Sequence, residues 1–231
     1  ISSGGFSFLL SWEMMTIASF LLIIFDADKR KTVRAALSYL VMMHIGFAAL
    51  LAGFALLYAR TGEATFAALG DYMSAYAPLP LFALFVVGFG MKAGMFPMHG
   101  WLPTAHPIAP APASAVLSGV ITKMGVLCVV RVLFFTVGAA NLRGTFVQTV
   151  LLILALCTVF MGSMMAFKTT GFKKRLAYST VSQVSYILFG LFLMTPQAFA
   201  GAVEHMYFHS VMKNALFLCA GAVILKTGST E

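Results

Sequence analysis

Runs of about 20 apolar residues dominate this sequence, and a helix of that length matches the hydrocarbon thickness of a bilayer. Seven such runs occur, at roughly 6–25, 34–59, 78–98, 112–137, 146–167, 175–194 and 198–225. Their number and spacing predict an all-α fold, a polytopic transmembrane bundle of about seven spans. The connections are short. The longest, around 60–77, reads as a loop carrying Arg60, Glu63 and Asp71.

Composition agrees. The chain of 231 residues is 61% hydrophobic and 10% charged, whereas a soluble domain runs at about 45–50% apolar and about 25% charged. A soluble surface needs polar groups, and a lipid-facing one does not. The formal net charge of +8 does not point to nucleic acid, because the basic residues cluster in short loops between apolar runs. Topology explains them better. Cys128, Cys157 and Cys219 all fall inside apolar runs without metal-ligand spacing, so no metal site is expected. The first residues already belong to a spanning pattern and show no signal-peptide pattern. The reading is a single transmembrane domain, 1–231, that is a piece of a longer polypeptide.

The distribution of basic residues orients the bundle. Lys29, Arg30, Lys31 and Arg34, then Lys168, Lys173, Lys174 and Arg175, then Lys226 fall on one side. Arg60 and Arg143 fall on the other. By the positive-inside rule the first side is cytoplasmic, or matrix if the source is an organelle; the location expected is the inner membrane of a bacterial or archaeal cell.

Lys92, Lys123, Arg131 and Lys213 lie within the runs instead. A lysine at the centre of a spanning helix costs about 2.5–3.5 kcal/mol on insertion scales. Arg131 can snorkel to an interface. Lys92 and Lys123 lie too far along their spans for that, so function is the better reading. Glu13, eight residues into the first run, is the matching acid. A Glu–Lys pair removed from water can gain or lose one proton at small cost, as a relay requires. The alternative is a static buried ion pair. In the last run His205, His209 and Lys213 recur at i, i+4 and i+8, which places them on one helical face over about 12 Å. Histidine exchanges protons near neutrality. Glu204 accompanies them, and no further metal-ligand set does. His44 in the second run reads equally well as a hydrogen-bonded core histidine.

Around Lys92 the sequence is Gly88-Phe89-Gly90-Met91-Lys92-Ala93-Gly94-Met95-Phe96-Pro97. Pro97 cannot donate to the carbonyl of Ala93, and Gly94 lowers the cost of leaving helical geometry. A broken helix near Lys92–Pro97 is expected. Irregular backbone at membrane depth survives only inside protein or beside a wet cavity, and transporters use it. The proline-rich stretch from His99 to Pro112 reads as a tight turn at the cytoplasmic rim. Trp101 would sit at the interface there, and His99 and His106 are candidate relay groups at the mouth.

These residues carry a family resemblance. The stretch Lys92-Ala93-Gly94-Met95-Phe96-Pro97-Met98-His99-Gly100-Trp101-Leu102-Pro103-Thr104-Ala105-His106, with Ala109-Pro110 and Ser118-Gly119-Val120-Ile121-Thr122-Lys123, resembles the signature of antiporter-like proton-translocating membrane subunits. Such subunits occur in respiratory complex I, in membrane-bound hydrogenases including formate hydrogenlyase, and in multisubunit cation/proton antiporters. Trp12-Glu13-Met14-Met15, Lys174-Arg175-Leu176-Ala177-Tyr178-Ser179-Thr180-Val181-Ser182-Gln183 and the His205, His209, Lys213 row agree with it. The segment Arg34-Ala35-Ala36-Leu37-Ser38-Tyr39-Leu40-Val41-Met42-Met43-His44 and the Trp12-Glu13-Met14-Met15 variant look most like the large antiporter-like subunit of hydrogenase complexes related to formate hydrogenlyase.

The resemblance implies two inverted repeats of five helices, each with one broken helix. Residues 1–137 would be part of the first and 138–231 the start of the second. It implies that Glu13 pairs with Lys92, that Lys123 continues a hydrophilic axis, and that His205, His209 and Lys213 link to the second half. It implies no cofactor, and partners that are other membrane subunits of a multisubunit redox complex. The transported ion would be the proton, with Na+ the alternative if the parent is an antiporter without redox coupling.

Overall fold

The structure, a computed structural model, describes residues 4–76 and 79–228. Position 78, where the third apolar run begins, lies outside them. Among the described residues, six helical stretches are long and apolar enough to cross a membrane: Gly5–Asp26, Arg30–Thr61, Leu79–Ala105, Ala111–Thr136, Phe146–Lys168 and Pro196–Thr227. The run expected at 175–194 is also helix, Phe172–Phe192. Its serines, threonines and basic first turn dilute its apolar content, so the spans judged on length and composition number six rather than seven.

Helix α1 (Gly5–Ile23) packs on α2 (Arg30–Thr61). Gly62 ends α2 in the left-handed region, φ 76°, and its N–H donates to the Tyr58 carbonyl, a common helix stop. The expected loop at 60–77 contains a helix instead, α3 (Phe66–Tyr76). Thr65 caps its start by accepting from the Ala68 N–H at 3.0 Å, and Phe66, Leu69 and Met73 form its buried stripe. That stripe is too short to stand out among longer apolar runs.

Helix α4 (Leu79–Ala93) stops at the break. A 3₁₀ turn, Met98–Gly100, leads into the short α5 (Trp101–Ala105). The next span comes in pieces: α6 (Ala111–Val116), a π-helical turn at Leu117–Ile121, α7 (Thr122–Val130) and a second π-helical turn at Arg131–Thr136. The short α8 (Ala139–Leu142) precedes α9 (Phe146–Lys168). Then come α10 (Phe172–Phe192) and α11 (Pro196–Thr227). Thr145 and Thr195 cap α9 and α11 with their side chains.

Helix α10 lies between α9 and α11 and also touches α5 and α7. This central place accounts for its polar composition. Thr180, Ser182 and Ser185 are buried and find partners at the Leu176 carbonyl, Ser163 and the Val181 carbonyl. Lys173 Nζ donates to the Ala109 carbonyl at 2.9 Å and ties the proline-rich turn to α10.

Lipid tails are as apolar as leucine, so close packing rather than water exclusion holds such helices together. Small residues make that packing possible. A Cβ at Gly162 of α9 would lie 2.8 Å from the Ser182 nitrogen, and one at Gly125 of α7 would lie 2.5 Å from the Ala93 nitrogen. Gly125 thus brings α7 against α4 at the level of Lys92.

Candidate functional site

The site is built on the break in α4. Gly94 adopts φ +80°, which a residue with a Cβ rarely does. A Cβ there would also meet Leu102 Cδ1 at 2.2 Å. The helix therefore ends at Ala93, four residues before the proline, and Phe96–Pro97 follows as a cis peptide. Two backbone groups freed by the break find side-chain partners. The Trp101 indole N–H donates to the Met91 carbonyl at 2.9 Å. The Phe96 N–H donates to Thr158 Oγ1 of α9 at 3.0 Å. Trp101 does not take the interface position that its residue type suggests. It is wholly buried, because the break needs its donor and Tyr39 packs edge-on against its ring.

Lys92 occupies the last turn of α4 and is 1% exposed. Its Nζ donates to Thr16 Oγ1 at 3.0 Å and, at 3.5 Å, to the Trp12 carbonyl. It also sits 4.2 Å from the centroid of a Trp12 ring, a favourable cation–π placement. All of these partners are neutral. Glu13 acts on Lys92 through space, but no direct bond joins the two among the described residues. The two expected partners thus interact at a distance rather than in contact. Thr16, one turn along α1 from Trp12, takes the ammonium, and Glu13 Oε1 lies 3.1 Å from His44 Nε2 instead.

Lys123 and Lys213 form the second part of the site, and both are buried. Lys123 Nζ donates to the Ser118 carbonyl, which lies in the first π-helical turn and also accepts from Thr122 Oγ1 at 2.9 Å. A π turn widens the helix and shifts its carbonyls out of regular register. Ser118 Oγ bonds Thr180 Oγ1 of α10 at 2.9 Å. Thr180 donates on to the Leu176 carbonyl at 2.9 Å, and Lys213 Nζ donates to that same carbonyl at 3.1 Å. A hydrogen-bonded ladder thus runs from the seat of Lys123 to the seat of Lys213. The two ammonium groups also act on each other through space. Ser210 donates to the Gly119 carbonyl, holding α11 against the π turn.

His205 and His209 sit one turn apart on α11, ring centroids 6.0 Å apart. His209 is fully buried and His205 partly so, while Glu204 is exposed. The two relay candidates at the mouth separate. His99 is half-buried and stacks on Phe96. His106 is not at the mouth: it is wholly buried, stacked near-parallel to Trp101 and to Phe217 of α11. Arg131 lies 3.6 Å from the centroid of the Phe66 ring. No group of metal-ligating residues occurs among the described residues.

Thr16 and Thr158 do not stand out in the sequence, and Ser118 and Thr180 enter it only as parts of the motifs, without a role. Their signal is a buried hydroxyl in an apolar run. That signal is weak, because such hydroxyls usually return a bond to their own helix, as Thr16 also does to the Trp12 carbonyl.

The family model described as "NADH:quinone oxidoreductase/Mrp antiporter, TM" matches residues 3–231. An Na(+)/H(+) antiporter subunit of Alkalihalophilus pseudofirmus is 35% identical over 230 residues, covering 98% of this chain and 46% of that protein. Hydrogenase-4 component B of Escherichia coli is 33% identical over 239 residues, covering 97% of this chain and 35% of that one. Among solved structures, a chain of the membrane-bound sulfane sulfur reductase, an archaeal respiratory membrane complex, superposes with a TM-score of 0.88 at 33% identity. That match covers 100% of this chain and 39% of the other. The chain therefore spans less than half the length of each of these proteins.

Proposed function

The chain belongs to the NADH:quinone oxidoreductase/Mrp antiporter membrane family, and on that premise we propose that it moves protons as the antiporter-like subunit of a membrane-bound redox complex of the hydrogenase or quinone-reductase kind. The observation that carries this reading is the seat of Lys92. Its ammonium is buried on neutral oxygens and an aromatic face, beside a break in the helix, with an acid near but not bonded to it. A static ion pair needs the acid in contact. A group that must give up its proton needs a seat that does not lock the charge in place.

From Lys92 the proton passes to Lys123, then to Lys213 and the His205–His209 pair. Gly94 and Pro97 keep the backbone open where the path starts, and His99 and His106 serve its cytoplasmic side. Two lysines close enough to feel one another hold one charge more cheaply than two, so a proton arriving on one favours release from the other. Glu13 Oε2 and both ring nitrogens of His209 are buried without a hydrogen-bond partner among the described residues. Water is the group that ordinarily satisfies such atoms, and it would complete the path.

The second reading is a cation/proton antiporter without redox coupling, favoured by the likeness to an Na(+)/H(+) antiporter subunit. The chemistry of the axis speaks for protons. Lysine and imidazole dominate it, whereas Na+, a hard cation like Mg2+ and Ca2+, calls for oxygen ligands. The lone carboxylate of the axis, Glu13, is engaged with His44.

The test uses the full-length protein in its complex, reconstituted in vesicles, with companion subunits identified by copurification. Lys92→Ala and Glu13→Gln should assemble normally and lose substrate-driven acidification. Wild-type proton transport in both would refute the proposal.

A further inference from the structure

His44 stands outside the path just described, yet its ring is fixed at both ends. Its Nδ1 lies 2.9 Å from the Leu40 carbonyl. A carbonyl only accepts, so Nδ1 must carry a hydrogen. Its Nε2 faces Glu13 Oε1 at 3.1 Å. With Nδ1 protonated, a neutral ring presents a lone pair at Nε2, and an ionised carboxylate presents another. Two lone pairs at 3.1 Å repel, and the contact forms only with a proton between them. The pair is therefore either imidazolium with carboxylate or imidazole with carboxylic acid. In both forms it holds one proton there, and its net charge is zero.

We propose that His44 and Glu13 form a single-proton dyad, and that the position of that proton decides whether Glu13 holds or releases the charge on Lys92. The inference rests on the proton-moving reading above. In one form the proton is on His44 Nε2, and the Glu13 carboxylate faces Lys92 as an anion. In the other the proton has crossed to Glu13 Oε1, the anion is gone, and the Lys92 ammonium keeps only its neutral partners, Thr16 and Trp12. Lys92 then passes its proton on toward Lys123. When the dyad proton returns to His44, Glu13 is again an anion and Lys92 takes a proton up. One bond to hydrogen breaks and one forms at each step, and no other reactant is needed.

The setting supports the assignment. His44 lies near the middle of the 32-residue α2, and half of its side chain is exposed, against 19% for Glu13. The dyad thus has a side that this chain leaves uncovered. The other titratable groups facing it are Lys92 of α4 and Tyr39 of α2, both of which interact electrostatically with Glu13. A purely packing histidine has no reason to commit both nitrogens while half in the open.

The experiment is His44→Gln in the full-length protein within its complex, in proteoliposomes. Glutamine can still donate a hydrogen bond to Glu13 but cannot carry a proton. Normal assembly is expected, with proton transport lower by about tenfold or more and the histidine signal that accompanies the Glu13 carboxyl band lost from the infrared spectrum. A wild-type rate would overturn the dyad. Lys92→Ala is run alongside: if it stops transport while His44→Gln does not, the dyad alone fails. If neither affects transport, the proton-moving reading fails with it. Should His44→Gln not assemble, the infrared carboxyl band assigned by Glu13→Gln decides in the wild-type complex. During substrate-driven turnover the band should rise as the imidazolium signal falls, and fall as that signal returns. Independent changes would overturn the proposal.

Discussion

Gly125→Ala puts one methyl group between α7 and α4. The added Cβ would lie 2.5 Å from the Ala93 nitrogen, 2.9 Å from the Phe89 oxygen and 3.0 Å from the Ala93 Cα. Ordinary contact begins near 3.4 Å, so the helices must separate by about 1 Å, the amount by which a neighbour has to yield in a close-packed interior. All three atoms belong to the backbone, and no side chain can rotate away. Overpacking of this kind costs about 1–3 kcal/mol. The displaced residue adjoins Lys92, so the Nζ–Thr16 distance should lengthen too. Two assays read these effects in the full-length protein: denaturant unfolding in detergent and proton transport in vesicles. Gly201→Ala is the control. It lies in α11 with no atom within 4 Å of the added carbon, and alanine in a helix interior is favoured over glycine by about 0.5–1 kcal/mol. Gly125→Ala should lower both stability and transport, and Gly201→Ala neither. Identical behaviour of the two would refute the claim that close approach of α7 positions Lys92.

Other expectations can be checked with the same preparations. Trp101→Phe takes the 2.9 Å indole donor from the Met91 carbonyl and leaves it only the 3.3 Å bond from the Gly94 N–H, a lost hydrogen bond worth about 0.5–1.5 kcal/mol; a denaturation midpoint equal to wild type would show that the indole bond is dispensable. Thr16→Val keeps the shape of the side chain and removes the nearest oxygen from Lys92, so transport should fall and Thr16→Ser should restore it. Thr180→Val cuts the ladder between the seats of Lys123 and Lys213. Its transport should drop with little change in assembly, and an unchanged rate would mean that the hydroxyl only fills space.

The membrane class and the break were readable from local physics. An apolar run of about 20 residues, and a glycine and proline after Lys92, mean much the same in any fold. Other features depended on where helices meet. Helix α10 looked like an ordinary span, but its hydroxyls mark a helix surrounded by protein. Charge alone matches Glu13 to Lys92, in the first and third apolar runs. The fold instead puts Thr16 nearer to the ammonium and His44 nearer to the acid. Trp101 was misplaced because its residue type favours interfaces, while its position ten residues after Met91 closes the break from within. The apolar stripe of α3 was too brief to separate from a loop by periodicity alone.

The central claim is that Lys92 works by changing its protonation and not by its charge alone. Lys92→Arg separates the two, because a guanidinium keeps its charge in proteins and does not give up its proton. The measurement is substrate-driven proton transport by the Lys92→Arg complex in sealed vesicles, with assembly confirmed by copurification. The account predicts an assembled complex whose transport is lost, as in Lys92→Ala. Transport at the wild-type rate in Lys92→Arg would contradict it, and would make Lys92 a fixed charge.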